Sequence, residues 1–491
     1  QGAQMLPGDT IPGLWQTPLL GLSRVAASEL PMLTGDQIDL DPAIPAHEQS
    51  SALVEELLAA LTAANSGAEQ IALRAGRAYR ARLASFPAPP RNRSRFSLAR
   101  DGSYLVTGGL GGVGLHVAKF LVDRGARHLV LVGRQPENAE VLEKLRDLRK
   151  DGTQIAVLSA DVSQAQEVAR VLDEVAARLP PLRGILHLAG AVADATLLRQ
   201  NSESLDRALG PKAAGAWHLH ELTKTLPLDF FVLFSSASSL LGTPGQANYA
   251  AANAFLDGLA AFRRARGLPA LAIQWGSWAG TGFSAAPGIQ RQLDLSGEGT
   301  IPPDAGLLLL ELLLMCPPAN GTVAVLPHDW SRFSERHSQP FLSGLSGPLT
   351  RRATSRPSLM HQLEQASLPQ RKSVLETHLR EQLLRILGPT TTLDSNLGFT
   401  SLGMDSLGAI DLRSALQTSL ARPLPQTLVY DYPTLSALTD YLLREMMPSP
   451  LTSPGTLPPQ AVNSPPLVKG QSSTDDLVHR LAQKLGLDLP P

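Results

Sequence analysis

The 491-residue chain contains a single cysteine, Cys316, so no internal disulfide framework holds it together, and the composition suits a reducing, cytoplasmic compartment. Cys316 itself reads as a small buried hydrophobe at a helix end. An excess of either charge is also lacking. Lys and Arg number 43 against 44 Asp and Glu, a net charge of −1, which gives no electrostatic footprint for nucleic acid or an anionic membrane. Long apolar runs are missing as well. The longest, "AGLLLLELLLM" from Ala305 to Met315, is too short to span a bilayer and carries Glu311, so it reads as a buried amphipathic helix. The N-terminus lacks the basic-then-apolar pattern of a secretory signal, and no internal repeat is visible. Opening on Gln1 in mid-pattern, the chain is expected to be a piece of a longer polypeptide.

What is present falls into six zones. Residues 1–96 hold short apolar runs and one clear helix, "SSALVEELLAALTAA" from Ser50, and end in the loop "FPAPPRNRSR". Over residues 97–345, strands and amphipathic helices alternate. "SYLVTGG", "HLVLVGR", "QIAVLSAD", "GILHLAG", "FFVLFSS" and "ALAIQWG" are short, continuously apolar strands. Such strands, with helices between them, predict a parallel sheet covered on both faces, an α/β fold of the Rossmann type. A Ser-, Pro- and Arg-rich linker spans 346–367. Residues 368–446 contain three helical patterns, "KSVLETHLREQLLRIL", "DSLGAIDLRSALQTSL" and "TLSALTDYLLREM", which predict a small all-α bundle. A Pro/Ser-rich linker (447–472) and an amphipathic helix, "STDDLVHRLAQKLGL" (within 473–491), complete the chain.

"YLVTGGLGGVGLHVAKFLVDRG" places Gly109, Gly111 and Gly114 as G-x-G-x-x-G between a strand and a helix; Thr107, Gly108, Gly112 and Gly114 also fit T-G-x-x-x-G-x-G. Glycines let the backbone approach a pyrophosphate, whose charge the helix N-terminus stabilises. The second strand ends in Gly133-Arg134 rather than in an acidic residue. A guanidinium there suits the 2′-phosphate of NADPH, although Arg134 also reads as a solvated surface side chain. Asp161 and Val162 close the third strand beside the expected adenine, where Asp161 has an alternative reading as a cap. No metal is expected.

A reductase of this class needs a proton donor for the developing alkoxide, a polar group to orient the carbonyl, and a cation beside the donor. Tyr249 in "GQANYAAANAFLDG" is the candidate donor, but Asn253 stands four residues on, where ordinary short-chain reductases carry lysine. Ser236 ends the strand "FFVLFSS", and Lys212 lies in "GPKAAGAWHLHEL" before it. Singly, each of these has a plain structural reading as core, cap or surface charge.

From Ser235 to Trp278 the sequence resembles the ketoreductase domain of modular type I polyketide synthases, a family in which the lysine and asparagine exchange places. The resemblance implies Lys212 as the cation, Ser236 as the carbonyl orienter, Tyr249 as the proton donor and Asn253 as its support. An ammonium near a phenol favours the ionised form, and Asn253, one turn beyond Tyr249, is placed to hold a water or the lysine. In "HLAGAVADATL", Val192-Ala193-Asp194 occupies the family's Leu-Asp-Asp triplet and keeps its last aspartate, while Leu241 stands where the other stereochemical type has tryptophan. Pro244 and Asn248 agree, so a B-type, (3R)-hydroxyl product is expected. "GSWAGTGFSAAPGIQRQL" resembles the substrate lid. "WQTPLLGLSRVAASELP" and "EQIALRAGRAYRARL" resemble the back part of the noncatalytic structural subdomain.

"GFTSLGMDSLGAIDL" contains Ser406 at a helix start, which alone reads as a cap. The G-x-D-S-L motif, with "LPQTLVYDYPTLSALTDYL" after it, resembles the acyl carrier domains of the same synthases. That implies 4′-phosphopantetheine on Ser406, attached by a phosphopantetheinyl transferase, with a carrier-bound β-ketoacyl chain as substrate. The implied partners are upstream synthase domains, a second copy in a homodimer, and a downstream polypeptide docked through the tail, where Leu477, Leu481, Leu485 and Leu487 lie near one face, although the tail reads equally as a solvated, fraying end. Nucleic acid and membrane are not expected. The alternatives are a catalytically silent reductase serving as carrier and scaffold, or part of a multifunctional fatty-acid synthase.

Overall fold

The structure is a computed structural model that describes residues 1–446 apart from 31–34, 63–68, 88–95, 135–138, 282–292, 294–296, 334–339, 346–358, 388–392 and a few shorter gaps. The linker at 447–472, the tail helix and most of the lid stretch lie outside the described residues. Contacts divide the chain into two units, one within Gln1–Pro348 and one within Leu349–Gln471.

All six strands read from the sequence form: β4 (Ser103–Thr107), β5 (His128–Gly133), β6 (Gln154–Ser159), β7 (Leu182–His187), β8 (Phe230–Ser236) and β9 (Leu271–Trp275). A seventh, β10 (Thr322–Val325), pairs with β9; at four residues it is too short to stand out by periodicity. The seven are parallel, in the order β10-β9-β8-β7-β4-β5-β6. This is the doubly wound Rossmann arrangement, and its order reverses between β4 and β7, the place where such sheets open a ligand crevice at their carboxyl ends. Burial explains the unbroken apolar runs. Leu105, Val130, Ile185 and Leu233 face one core layer, and Val106, Leu129, Leu186 and Val232 the other. Each such side chain stabilises the fold by about 1.5–3 kcal/mol.

The helices that frame the site are α3 (Gly112–Asp123), α5 (Ala165–Arg178), α6 (Ser202–Leu209), α7 (Gly215–Thr223), α8 (Ala237–Leu241) and α9 (Ala247–Arg264). The Ala305–Met315 run falls in a helix, Pro303–Met315, that is apolar inside at Leu310 and Leu313 and ties to α3 through Glu311 and Arg124. Leu308 on its outer face is exposed, and Cys316, at its C-terminal end, is only partly buried.

The N-terminal region carries α1 (Thr17–Glu29), α2 (Ser50–Thr62) and a small sheet of β1 (Gln37–Asp39), β2 (Gln70–Arg74) and β3 (Arg77–Arg80). β2 turns into β3 through Ala75 and Gly76, both at positive φ (49° and 73°), a tight hairpin turn. α1 lies along α9. Gly21 makes this possible, because a Cβ there would stand 2.3 Å from the Ala250 carbonyl oxygen. Alanines 247, 250, 251 and 254 keep α9 narrow and buried.

The second unit is an all-α bundle of the helices Leu368–Leu387, Ser406–Leu420, Leu428–Asp431 and Leu435–Met446. Leucines at helical spacing form its core: Leu375, Leu379 and Leu383 meet Leu412, Leu416, Leu438 and Leu442, with Phe399 and Met404 from the intervening loop. Ser406 is the first residue of the second long helix.

Candidate active site

The glycine loop joins β4 to α3 at the carboxyl edge of the sheet. Gly108 has φ of 67°, and a Cβ on it would stand 2.9 Å from the Ala189 nitrogen in the loop after β7. A Cβ on Gly114 would meet the Gly108 carbonyl at 2.3 Å, and one on Gly109 the Val106 carbonyl at 2.8 Å. These three glycines close the loop upon itself and upon β7. Gly111 and Gly112 have the opposite role: they are exposed, at the open N-terminus of α3. That side is left free for an anion.

Arg134 lies exposed just past β5 and forms no ion pair among the described residues. Asp161 makes a local turn, its Oδ1 accepting from the Ser163 N–H at 3.0 Å, while its own N–H donates to Glu167 Oε2 at 2.7 Å. Val162 is buried against Gly215, and its carbonyl lies 3.1 Å from His218 Nδ1.

Lys212 sits in a π-helical turn, Gly210–Ala214, inserted between α6 and α7. Such turns widen the backbone and recur at functional sites. Its side chain is buried, with Nζ donating to the Phe234 carbonyl on β8 at 2.8 Å and standing 5.3 Å from the centre of the Tyr249 ring. Residues 37 apart in sequence thus meet. Gly190 makes room, since a Cβ there would lie 2.9 Å from Lys212 Cε.

His187, the first residue of "HLAGAVADATL", holds the backbone of this turn. Its ring is pushed down to about 3, by burial first and by the nearby Lys212 charge second, so the imidazole is neutral. The Lys212 carbonyl, 3.0 Å from Nε2, can only accept, which puts the proton on Nε2. Nδ1 then accepts from the Thr107 hydroxyl at 2.8 Å, and Thr107 Oγ1 accepts from the Ala189 N–H at 3.3 Å. One hydrogen-bonded chain therefore links the glycine loop to the lysine. Sequence reasoning missed it because β4, β7 and the π turn are far apart along the chain.

Tyr249 lies in the first turn and a half of α9, and its hydroxyl makes no hydrogen bond among the described residues. Asn253, fully buried one turn on, donates from Nδ2 to the Tyr249 carbonyl at 2.8 Å. Its Oδ1 has no partner among the described residues. Asn253 thus braces the helix at Tyr249, and it is Phe234 whose carbonyl receives the lysine. Ser236 ends β8, and its Oγ accepts from the Ser238 N–H at 3.2 Å as the cap of α8, leaving its proton available.

Asp194 lies on the loop after β7, beside the entrance to α9. Gln246 Nε2 donates to its Oδ2 at 3.3 Å, and Ala195 forms a parallel bridge with Gln246. Asn248 Nδ2 donates to the carbonyls of Ala193 at 2.8 Å and Ser204 at 2.9 Å, while its Oδ1 accepts from the Tyr249 N–H at 2.8 Å. The residue before the tyrosine therefore ties it to the Asp194 loop.

Residues 102–280 match the family described as "KR domain", and residues 377–442 the "Phosphopantetheine attachment site". Polyketide synthase GfsA of Streptomyces halstedii is 34% identical over 93% of this chain and 6% of its own length. The spectinabilin polyketide synthase system protein NorB of Streptomyces orinoci is 41% identical over 69% of this chain and 16% of its own length. Across such relatives the chain spans 6% to 25% of their length. A solved structure of A-type ketoreductases from a modular polyketide synthase superposes with a TM-score of 0.61 at 34% identity, covering 70% of this chain and 72% of that one. The ketoreductase from the first module of phoslactomycin biosynthesis in Streptomyces sp. HK803 gives 0.62 at 32%, covering 70% and 78%. The chain belongs to the modular polyketide synthases, of which it holds a ketoreductase domain and a phosphopantetheine carrier domain.

Proposed function

We propose that residues 97–345 reduce a β-ketoacyl thioester to the (3R)-β-hydroxyacyl thioester with NADPH, the acyl chain being borne on 4′-phosphopantetheine at Ser406. The observation that carries this reading is the buried Lys212 ammonium beside the Tyr249 ring, fixed from behind by Phe234 and His187.

The glycine cradle fits a dinucleotide. Gly108, Gly109 and Gly114 admit no side chain, while Gly111 and Gly112 leave the α3 N-terminus open for a pyrophosphate. On this reading Arg134, exposed just past β5, binds the 2′-phosphate, and Asp161 and Val162 border the adenine. NADPH supplies the hydride when bound. The protein's own residues manage the oxygen: Ser236 donates a hydrogen bond to the ketone, Tyr249 donates the proton as negative charge develops there, and Lys212 stabilises the resulting phenolate. Asn253 braces the tyrosine through its carbonyl.

Asp194, with Leu241 in place of a tryptophan, supports the B-type outcome by furnishing the guiding group on the β7 side. On this reading a phosphodiester on Ser406, the first residue of its helix, is favoured by the positive end of the helix dipole. The partners on this reading are a phosphopantetheinyl transferase, further synthase domains, a downstream polypeptide and a second copy of the synthase. A cytoplasmic setting suits them. Among the described residues, no helix is long and apolar enough to cross a membrane.

Incubation of the chain with NADPH and a β-ketoacyl N-acetylcysteamine thioester, followed by chiral separation, tests the proposal. The expected product is the 3R alcohol, and Tyr249→Phe is expected to lose about 10²-fold or more in kcat with cofactor affinity intact. An inactive wild-type chain, or a fully active Tyr249→Phe, overturns the reading, and a 3S product overturns its stereochemical part.

A further inference from the structure

Glu29 ends α1, outside the seven-stranded sheet, and has no part in the roles above. It is 5% exposed, an unusual degree of burial for a carboxylate. Its two oxygens are divided between two loops of the reductase cleft: Oε1 accepts from the Gly245 N–H and Oε2 from the Leu197 N–H, each at 2.7 Å. The Leu197 loop carries Asp194, and the Gly245 loop leads into α9 and Tyr249. Between themselves the loops form a narrow seam, the Ala195–Gln246 bridge with Ala195 N–H donating to the Gly245 carbonyl at 2.9 Å, plus the side-chain bonds of Gln246 and Asn248.

We propose that Glu29 is a positioning residue for the substrate cleft, locking the Asp194 loop against the Tyr249 loop so that the face of the ketone offered for reduction depends on a carboxylate supplied by α1. The chemistry of the clamp requires a carboxylate. Two N–H donors converge on it, and a carboxylate offers two acceptors and no donor, whereas an amide would set its own N–H₂ against one loop. Gly245 lacks a side chain and has φ of 81°, so backbone bonds alone locate it. Leu197 opens a short 3-10 turn, Leu197–Arg199, whose first N–H is free to leave the turn for Glu29. α1 itself is pinned to α9 at Gly21, so the clamp is referenced to the helix that carries the tyrosine.

The inference rests on the ketoreductase reading, and the experiment separates the two. The full chain, as wild type, Glu29→Gln and Leu197→Pro, is assayed with NADPH and the β-ketoacyl N-acetylcysteamine thioester. Kinetic constants, cofactor affinity, unfolding midpoint and the enantiomer ratio of the product are measured. Leu197→Pro removes the second loop's donor from the other side, at a first-turn position where proline is tolerated, and so serves also if Glu29→Gln does not fold. Each variant is expected to raise KM for the thioester about tenfold and to raise the minor enantiomer about tenfold, with cofactor affinity unchanged. An active wild type with folded variants that keep both KM and enantiomer ratio overturns the role of Glu29 alone. So does a loss of activity that tracks the unfolding midpoint while the ratio stays fixed. An inactive wild type overturns the ketoreductase reading beneath it.

Discussion

On the proposed reading Lys212 must be both buried and aimed, and two small features arrange this. The π turn lifts its backbone, and Gly190 leaves a gap for the end of its side chain. A methyl group at Gly190 would press on Lys212 Cε at 2.9 Å, and that atom belongs to a flexible stem rather than to backbone. Gly190→Ala is therefore expected to leave folding nearly intact while moving the ammonium off the Phe234 carbonyl. Steady-state kinetics should show kcat reduced about tenfold or more, against an unfolding midpoint close to wild type. Unchanged kcat would mean that the ammonium's position is unimportant. At this scale the sequence was informative about residue types. The asparagine four positions after Tyr249 pointed to a lysine elsewhere, and Lys212 does stand beside that ring. The sequence could not show that His187 would bridge Thr107 to the Lys212 turn, because those contacts join separate elements. Nor could it show that Asn253, within the same helix as Tyr249, would turn its amide to the Tyr249 carbonyl rather than to the lysine.

Helix α9 is where the elements converge. Its outer neighbour, α1, approaches at backbone distance, and the polar cluster behind Tyr249 depends on that approach. Asp257, two turns beyond Tyr249, is a buried carboxyl whose pKa is pushed above the usual carboxylate range by that burial. It accepts from Ser239 Oγ at 2.7 Å and from Gln274 Nε2 at 2.8 Å. Arg24 of α1 reaches the Ser239 carbonyl, and burial lowers its guanidinium to about 10. Gly21→Ala would drive a Cβ to within 2.3 Å of the Ala250 carbonyl, a backbone atom that cannot swing aside. Chemical denaturation should show a loss of about 1–3 kcal/mol, the usual cost of overpacking, together with reduced activity, since α9 must shift. Equal stability of the variant would show that the helices can separate at no cost. Continuous apolar runs made β4 to β9 readable, whereas α1 and the small N-terminal sheet did not stand out as elements, two stretches of that region only resembling a structural subdomain. The buried face of α1 is Thr17, Pro18, Gly21, Val25 and Glu29, without a leucine, because at Gly21 that face meets a helix backbone rather than a cavity to be filled.

The whole chain joins two units with different tasks. If Ser406 carries the substrate arm, Ser406→Ala should abolish the mass increment produced by a phosphopantetheinyl transferase. The same chain should still reduce a soluble thioester at the wild-type rate, because the reductase cleft is built entirely within the first unit. Reduction of an acyl chain loaded on the protein itself should vanish. Intact-mass spectrometry with a cofactor-oxidation assay reads both outcomes, and mass gain by Ser406→Ala would move the attachment site elsewhere. Tethering matters because it raises the effective concentration of the acyl chain at each site it visits.

Local order along the chain was enough to establish the alternation of buried strands and helices, the glycine loop, the three long carrier helices and the residue types of the cleft. These depend on period, glycine geometry and neighbours a few residues apart, all of which a linear reading contains. Tertiary structure alone decided the reversal of sheet order beside β4, the meeting of Lys212 with Tyr249, the neutral His187 bridge and the seating of Glu29 between two loops. Each of these is a contact across dozens to hundreds of residues, made when packing brings distant polar groups together and burial obliges them to find partners.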